Sequence, residues 1–255
     1  MGEVLVFDLT GPMAHFRKYY TNTSALTYGF PPRTVLMGVT AAVLGFERDS
    51  YYERLGSGHF AVAIKGAVRR LLQTVNYVRT KKEDLGLMRR LQRVPGTQTP
   101  LEFLLPGGEH RSLRFRVFFG HPDGGVVREA AARLREGRPF FPLYLGLTEC
   151  PAGAGYVGLF GPGDYETLPP HTPVSLTSVA SASHLDQVDL SALPGARLVR
   201  ERAPHAFGPG RTLRPPIAVI YDAGGQPLPA SLRVSARRFR LGPGAGTETV
   251  AFLEG

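Results

Sequence analysis

Apolar residues fall in short runs whose spacing switches between strand and helix periods. Residues 3–9, EVLVFDL, are apolar and rich in β-formers and predict a first strand, which Gly11-Pro12 ends. Residues 13–30 are polar and aromatic and read as a loop. Pro31-Pro32 then marks a helix start at Arg33-Thr34, because proline suits the first turn. Val35, Leu36, Val39, Ala42 and Val43 share one helical face; Gly38, Ala41 and Gly45 keep one side thin, and Gly45 can end the helix. Residues 59–65 and 70–79 read as strands. The segment 80–100 is basic and polar, ends in Pro-Gly and Thr-Pro turns, and reads as a protruding hairpin or loop.

Residues 112–119 alternate. Leu113, Phe115, Val117 and Phe119 face one way and Arg114, Arg116 and Phe118 the other, which predicts a half-buried strand with two guanidiniums on its open face. Asp123-Gly124-Gly125 leads into a second helix with Val126, Val127, Ala130 and Leu134 on one face, closed by Gly137. A strand is expected at 143–148. This split β-α-β order is α+β and ferredoxin-like, with helices on one sheet face. Beyond it no long helix is expected. Short strands at 156–160, 174–179, 197–202, 216–221 and 233–239, punctuated by Gly and Pro, predict a smaller β-rich lobe. The expected division is 1–149 and 150–255.

At 255 residues the chain can bury a core without disulfides, and its single cysteine, Cys150, excludes an internal disulfide framework and a cysteine-based zinc site. A reducing cytoplasm fits that usage. The start, MGEVLVFDLT, lacks a basic segment followed by a long apolar core, so no signal peptide is expected. The longest near-apolar stretch, 35–46, falls short of the ~20 residues a membrane span needs.

The net charge of +9 points to an anionic partner, and its placement is more informative than its total. Nine basic residues crowd 65–93 against only Glu83 and Asp84. A solvated hairpin face is the plain reading, but Gln73, Asn76, Tyr77 and Thr80 are interleaved with them, a mixture that suits a nucleic-acid surface better than a merely solubilising face. Residues 146–196 carry five acids and no Lys or Arg, whereas 197–240 carry nine Arg and two acids.

Signatures of catalysis are scarce. There is no P-loop, no His-Glu-x-x-His and no Gly-x-Ser-x-Gly elbow, and no cofactor or metal is expected. The glycine-rich runs at 159–164, 206–211 and 241–247 contain proline and read as turns. His15 lies near Lys18 and Tyr19, and such groups could supply a base, a cation and an acid for metal-free RNA cleavage. Equally, His15 could simply pack in its loop. The helix start at Arg33 and Thr34 could hold a phosphate or merely cap the helix. Tyr19, Tyr20 and Tyr28 offer stacking faces in a chain without Trp.

The stretch FDLTGPMAHFRKYYTNTSALTYGFPPRTVLMGVTAAVLGF (7–46) resembles the N-terminal signature of the fifth Cas protein family, of the repeat-associated mysterious protein (RAMP) superfamily. LLQTVNYVRTKK (71–82), TPLEFLLPGG (99–108) and PFFPLYLGLTE (139–149) extend the likeness, whose wording looks most like the I-B branch. The resemblance implies a ferredoxin-like domain with an extended thumb of roughly 80–100 and a smaller C-terminal lobe. It implies a subunit of a type I CRISPR Cascade complex that caps the 5′ handle of the CRISPR RNA (crRNA); one branch of the family cleaves precursor RNA with Tyr, Lys and His residues, a set that does not align onto this sequence, so a non-catalytic subunit is expected. Such a subunit contacts the backbone and large subunits, and meets target DNA through the assembled complex. Carried over by motif, the RNA-facing candidates are Arg17, Lys18, Tyr19, Tyr20, Asn22 and Thr23 in the loop, and Arg33 and Thr34 at the helix start. Asn76, Arg79, Lys81 and Lys82 would line the approach to the thumb. Cleavage of repeat RNA by His15, Lys18 and Tyr19 is the alternative function.

Overall fold

The computed structural model describes residues 2–21, 24–242 and 246–254. The first part of the chain runs β1 (Val4–Gly11), α1 (Arg33–Leu44), β2 (His59–Ile64), β3 (Val68–Val78), the one-turn α2 (Leu85–Arg89), β4 (Gly96–Pro106), β5 (Leu113–Gly120), α3 (Gly124–Arg135) and β6 (Gly153–Phe160). Short strands follow: β7 (Tyr165–Leu168), β8 (Val174–Leu176), β9 (Ala180–Ser181), β10 (Leu185–Val188), β11 (Leu198–Ala203), β12 (Ile217–Asp222), β13 (Leu228–Leu232), β14 (Ala236–Arg240) and β15 (Thr247–Val250). The architecture is mixed α and β, mostly sheet.

Four strands form an antiparallel sheet in the order β2-β5-β1-β6. Its apolar alternation is as the sequence predicts: Leu5, Phe7, Leu9, Phe115, Val117 and Phe119 join the core that α1 and α3 cover. α1 starts after Pro32 and ends at Gly45, whose φ of 80° is the left-handed conformation that closes a helix without a Cβ clash. α3 starts at Asp123, whose carboxylate accepts from the Gly125 N–H at 2.8 Å.

Two expectations need correction. The segment 143–148 is not a strand, because Gly146 sits at φ 94° against the His15 carbonyl, which breaks extended backbone. The outer strand of the sheet is β6 instead, beyond residue 149, so a division at 149/150 would cut the sheet. The second face of the sheet is also not open. Val4, Val6, Ala61 and Phe118 pack there against Phe239, Leu241, Val250 and Phe252. Arg116, expected in solvent, is 5% exposed.

Charged clusters fasten the late strands to the early sheet. Arg116 donates to both Asp8 carboxylate oxygens, Nε to Oδ1 at 2.8 Å and Nη2 to Oδ2 at 3.0 Å, and Nη1 donates to Glu248 at 3.2 Å. Lys65 also reaches Glu248, at 2.6 Å. On the helix side Arg33 is 3% exposed, and all five of its N–H groups find acceptors. Nε donates to Glu254, Nη1 to the Met37 sulfur at 3.2 Å and the His205 carbonyl at 3.0 Å, and Nη2 to the Gly56 and Gly58 carbonyls, both at 2.8 Å. Glu254 in turn accepts from the Phe60 N–H at 3.0 Å. The main core accordingly includes Val179, Ala203, Val219, Tyr221 and Leu253 beside the sheet residues, so the two parts share one interior.

Arg33→Ala strands the buried Glu254 carboxylate and is expected to cost about 3–5 kcal/mol in urea unfolding. A loss below about 1 kcal/mol would mean that the guanidinium does not hold the C-terminal segment. His205 is held down to about 4, first by burial, then by the charge of Arg33 and by His184. Between its ordinary 6.5 and about 4 the unfolded chain binds a proton that the folded chain refuses, so stability falls as pH falls through that window. His205→Gln should flatten this part of a plot of unfolding midpoint against pH; an unchanged plot contradicts the assignment.

Candidate nucleic-acid interface

The loop after β1 is itself a small hairpin. Phe16 and Tyr28 pair through a backbone bond of 2.9 Å, Lys18 N donates to Leu26 at 2.8 Å, and Arg17 stands opposite Thr27. Alternation along it sends Phe16 and Lys18 inward and Arg17 and Tyr19 outward. Phe16 packs edge-on against Phe115 of β5, which anchors the turn to the sheet. At its tip Tyr19 and Tyr20 are 39% and 50% exposed, with ring centroids 5.1 Å apart at right angles. Thr21 closes the turn on the Lys18 carbonyl at 2.9 Å, and Arg17 donates to the Thr21 carbonyl at 3.2 Å.

This loop lies along the base of the β3–β4 hairpin. Ala14 and Leu104 exchange backbone bonds of 2.9 and 2.8 Å, and Ala25 is bonded to both Pro100 and Glu102. β3 and β4 pair in unbroken register from Val68↔Pro106 to Val78↔Gly96. Beyond Val68 the residues of β3 stand at least partly in solvent on both faces. The hairpin therefore spans 68–106, longer than the expected 80–100, and its tip folds into a helical turn and α2. Arg79 is not free at that tip: its Nε and Nη2 hold the two Asp84 oxygens at 2.7 and 2.8 Å. That pair lowers the Asp84 carboxyl and raises Arg79. Lys81, Lys82, Arg89, Arg90 and Arg93 remain exposed, with no ion-pair partner among the described residues. Asn76 and Tyr77 are exposed on the shaft of β3.

Several expected ligands of RNA lie inside the protein. Lys18 is 9% exposed; its Nζ pairs with Glu201 at 2.8 Å and stands 5.6 Å from the Tyr28 ring centroid. Glu201 also accepts from Tyr221 at 2.7 Å and faces Arg70 at 3.6 Å, which joins the loop, the hairpin base and β11. Burial first, then Glu201, pushes the Tyr221 hydroxyl far up. Arg33 is saturated as described, and Pro31, Pro32 and Thr34 are buried with it, so the start of α1 does not present an anion site. Tyr28 is fully buried and donates to the Arg202 carbonyl at 2.8 Å, so it is no stacking platform. Asn22 and Thr23 lie outside the described residues.

His15 is 3% exposed. Its Nδ1 donates to the Glu102 carbonyl at 2.8 Å, and burial, ahead of other influences, lowers its proton affinity. The three residues of the cleavage alternative are thus separated by burial: His15 and Lys18 are interior, Tyr19 is outside. What the surface does bring together is a pair of tyrosine faces, one loop arginine and a cationic hairpin. Sequence reading gave the interior partners of Lys18 and Arg33 no role, since Glu201 and Glu254 lie far along the chain with no local signal. The acidic run at 146–196 is largely spent internally: Asp186 faces His171 at 3.0 Å and Arg233 at 3.5 Å, Glu166 binds Arg238, and Asp164 and Asp189 cap turns.

Among the described residues no His, Cys, Asp and Glu cluster suits a metal ion, and no helix is long and apolar enough to cross a membrane. Comparison with known proteins found no match among curated sequences. One solved structure, "CRISPR RNA-guided surveillance complex", is similar with a TM-score of 0.52 at 17% identity, each chain covered to 91%. Another, a CRISPR protein from Archaeoglobus fulgidus, has a TM-score of 0.55 at 12% identity, covering 98% of this chain and 99% of that one. At such identities the likeness speaks for the fold. Residues 4–192 match the family described as CRISPR-associated protein (Cas_Cas5), and the span takes in the sheet, the loop and the hairpin. The chain belongs to that CRISPR-associated family.

Proposed function

We propose that the protein is a non-catalytic RNA-binding subunit of a CRISPR surveillance complex, gripping the 5′ handle of crRNA and serving antiviral defence through that complex. The observation that carries this reading is the exposed tyrosine pair beside a hairpin whose tip holds five unpaired cations. Aromatic faces accept any base, and cations follow the phosphates, which is how single strands are held. The strand order β2-β5-β1-β6 with two helices on one face supports a ferredoxin-like, RAMP-type domain, and the solvent-exposed β3–β4 hairpin supports a thumb. Backbone and large subunits of the complex are the expected protein partners, with target DNA met only in the assembly. Burial of His15 and consumption of Lys18 favour binding over cleavage.

Fluorescence anisotropy with labelled repeat RNA tests this. Tyr19→Ala/Tyr20→Ala is expected to weaken binding by about 1–3 kcal/mol per stacked base. Lys81→Ala/Lys82→Ala should reduce the slope of log affinity against log salt by about 1.4, two single-strand phosphate contacts. If both pairs bind as the parent does, the grip lies elsewhere. Repeat RNA incubated with the protein in EDTA should stay intact; cleavage lost in His15→Ala would overturn the non-catalytic assignment.

A further inference from the structure

The two edges of the β3–β4 hairpin are bordered unequally. Along β4 the loop supplies neighbours: Ala14 exchanges bonds with Leu104, and Ala25 is bonded to Pro100 and Glu102. Along β3 the described residues supply only the bond from the Val68 N–H to the Ala223 carbonyl, at 2.9 Å. That bond fixes the parity of the strand. In an antiparallel pair, residues alternately turn their N–H and C=O groups toward the partner strand and away from it. Val68 turns away from β4, so Arg70, Leu72, Thr74, Asn76 and Val78 do the same along the unbroken register. The other phase agrees, since the Arg79 N–H points inward to the Pro95 carbonyl at 3.2 Å. Among the described residues no hydrogen bond reaches the outward groups from Arg70 to Val78.

Open edges are ordinarily guarded by Lys, Pro, a bulge or a covering element. Over 71–78 this one has none of them: LLQTVNYV carries no charge, no Pro and no Gly, and its pairing with β4 is regular. Leu72 and Val78 are 60% and 61% exposed. By contrast β2, at the edge of the main sheet, is covered, its Val62 and Phe60 carbonyls accepting from Val179 and Leu253 at 2.8 and 2.9 Å. A two-stranded ribbon is marginal in water and gains from a further strand. We infer that the outer edge of β3 is a strand-docking site for an extended segment of another protein, uncharged at its centre and acidic at its ends. Extended polypeptide repeats its donors and acceptors every second residue, about 6.8 Å apart, and so matches this edge. A nucleic acid has no such ladder. The ends follow from charge: Arg69 below the segment and Lys81 and Lys82 above it are exposed, with no ion-pair partner among the described residues. Arg70 and Arg79 are already held by Glu201 and Asp84, which leaves Glu83 as the exposed acid beside Lys82. A second copy of β3, paired antiparallel, would bring its own Lys81 and Lys82 toward Arg69, which like-charge repulsion disfavours. The site stands apart from the RNA-binding reading above, because a docked strand takes the edge of the hairpin and leaves its tip and faces.

The probes are two fluorescein-labelled peptides on the full chain. Each has a Val-Thr-Val-Thr-Val centre, flanked in one by Asp and Glu and in the other by Lys. The parent is expected to bind the acidic peptide about fivefold more tightly than the Lys-flanked one in anisotropy. Binding should slow hydrogen exchange at the amides of Leu72, Thr74, Asn76 and Val78, and leave those of Gln73, Val75 and Tyr77, which face β4, as they were. Thr74→Pro removes an outward donor while sparing the β4 ladder, and should weaken the acidic peptide about tenfold. Lys81→Glu/Lys82→Glu leaves the strand intact and should abolish the preference for acids. No peptide binding by the parent, parent-like affinity in Thr74→Pro, or protection that ignores the alternation would overturn the site. A dimer in sedimentation that Thr74→Pro makes monomeric would give the edge to a second copy, and the foreign strand would fall. Protection of the same amides by repeat RNA and not by peptide would give the edge to RNA, with the same consequence.

Discussion

A guanidinium removed from water must place five N–H groups on acceptors, and Arg33 does so with atoms from four separate stretches of chain. That requirement fixes the start of α1 against the 56–58 turn, the segment after β11, and the last described residue. An isolated buried cation would be costly, and only this convergence makes the site tolerable. The Arg116 cluster applies the same logic on the far face of the sheet, and the Lys18–Glu201–Arg70 cluster applies it at the foot of the hairpin. Each joins an early element to a late segment of the chain. The fold is thus closed by charge as well as by apolar burial, with aromatic packing such as Phe118 on Phe239 filling the space between.

These fastenings divide the basic residues into two populations. Interior cations are matched by acids scattered through the chain and contribute cohesion. The other cations stand at the surface, and those at the hairpin tip have no ion-pair partner among the described residues. The net charge of +9 is therefore felt mainly at the surface.

Much of the framework was readable from periodicity. The first strand, α1 from Arg33 to its glycine stop, the alternating strand at 113–120 and α3 with its Asp123 cap all follow from local rules, because local rules decide them. The hairpin was legible as a protrusion, but its length was not, since the pairing of Val68 with Pro106 is non-local. The strand expected at 143–148 failed because the close approach of Gly146 to His15 is a tertiary fact. The site was read less well. Lys18 and Arg33 have the side chains of phosphate ligands, and only the positions of Glu201 and Glu254 reveal that both are already engaged. Tyr19 and Tyr20 were legible because an aromatic pair in a polar loop has little else to do.

The Arg33 site also sets an order of events during synthesis. The helix that begins at Arg33 leaves the ribosome long before Glu254 is made, and 221 positions separate the two partners. Until Glu254 has been made, the nascent chain holds a cation whose counter-charge does not yet exist. The early sheet must wait with that helix start loose and with its second face uncovered. Closure is a late, long-range step, the kind that slows folding and leaves apolar surface exposed meanwhile. A nascent protein of this design closes only once residues 248–254 have packed back against the early sheet.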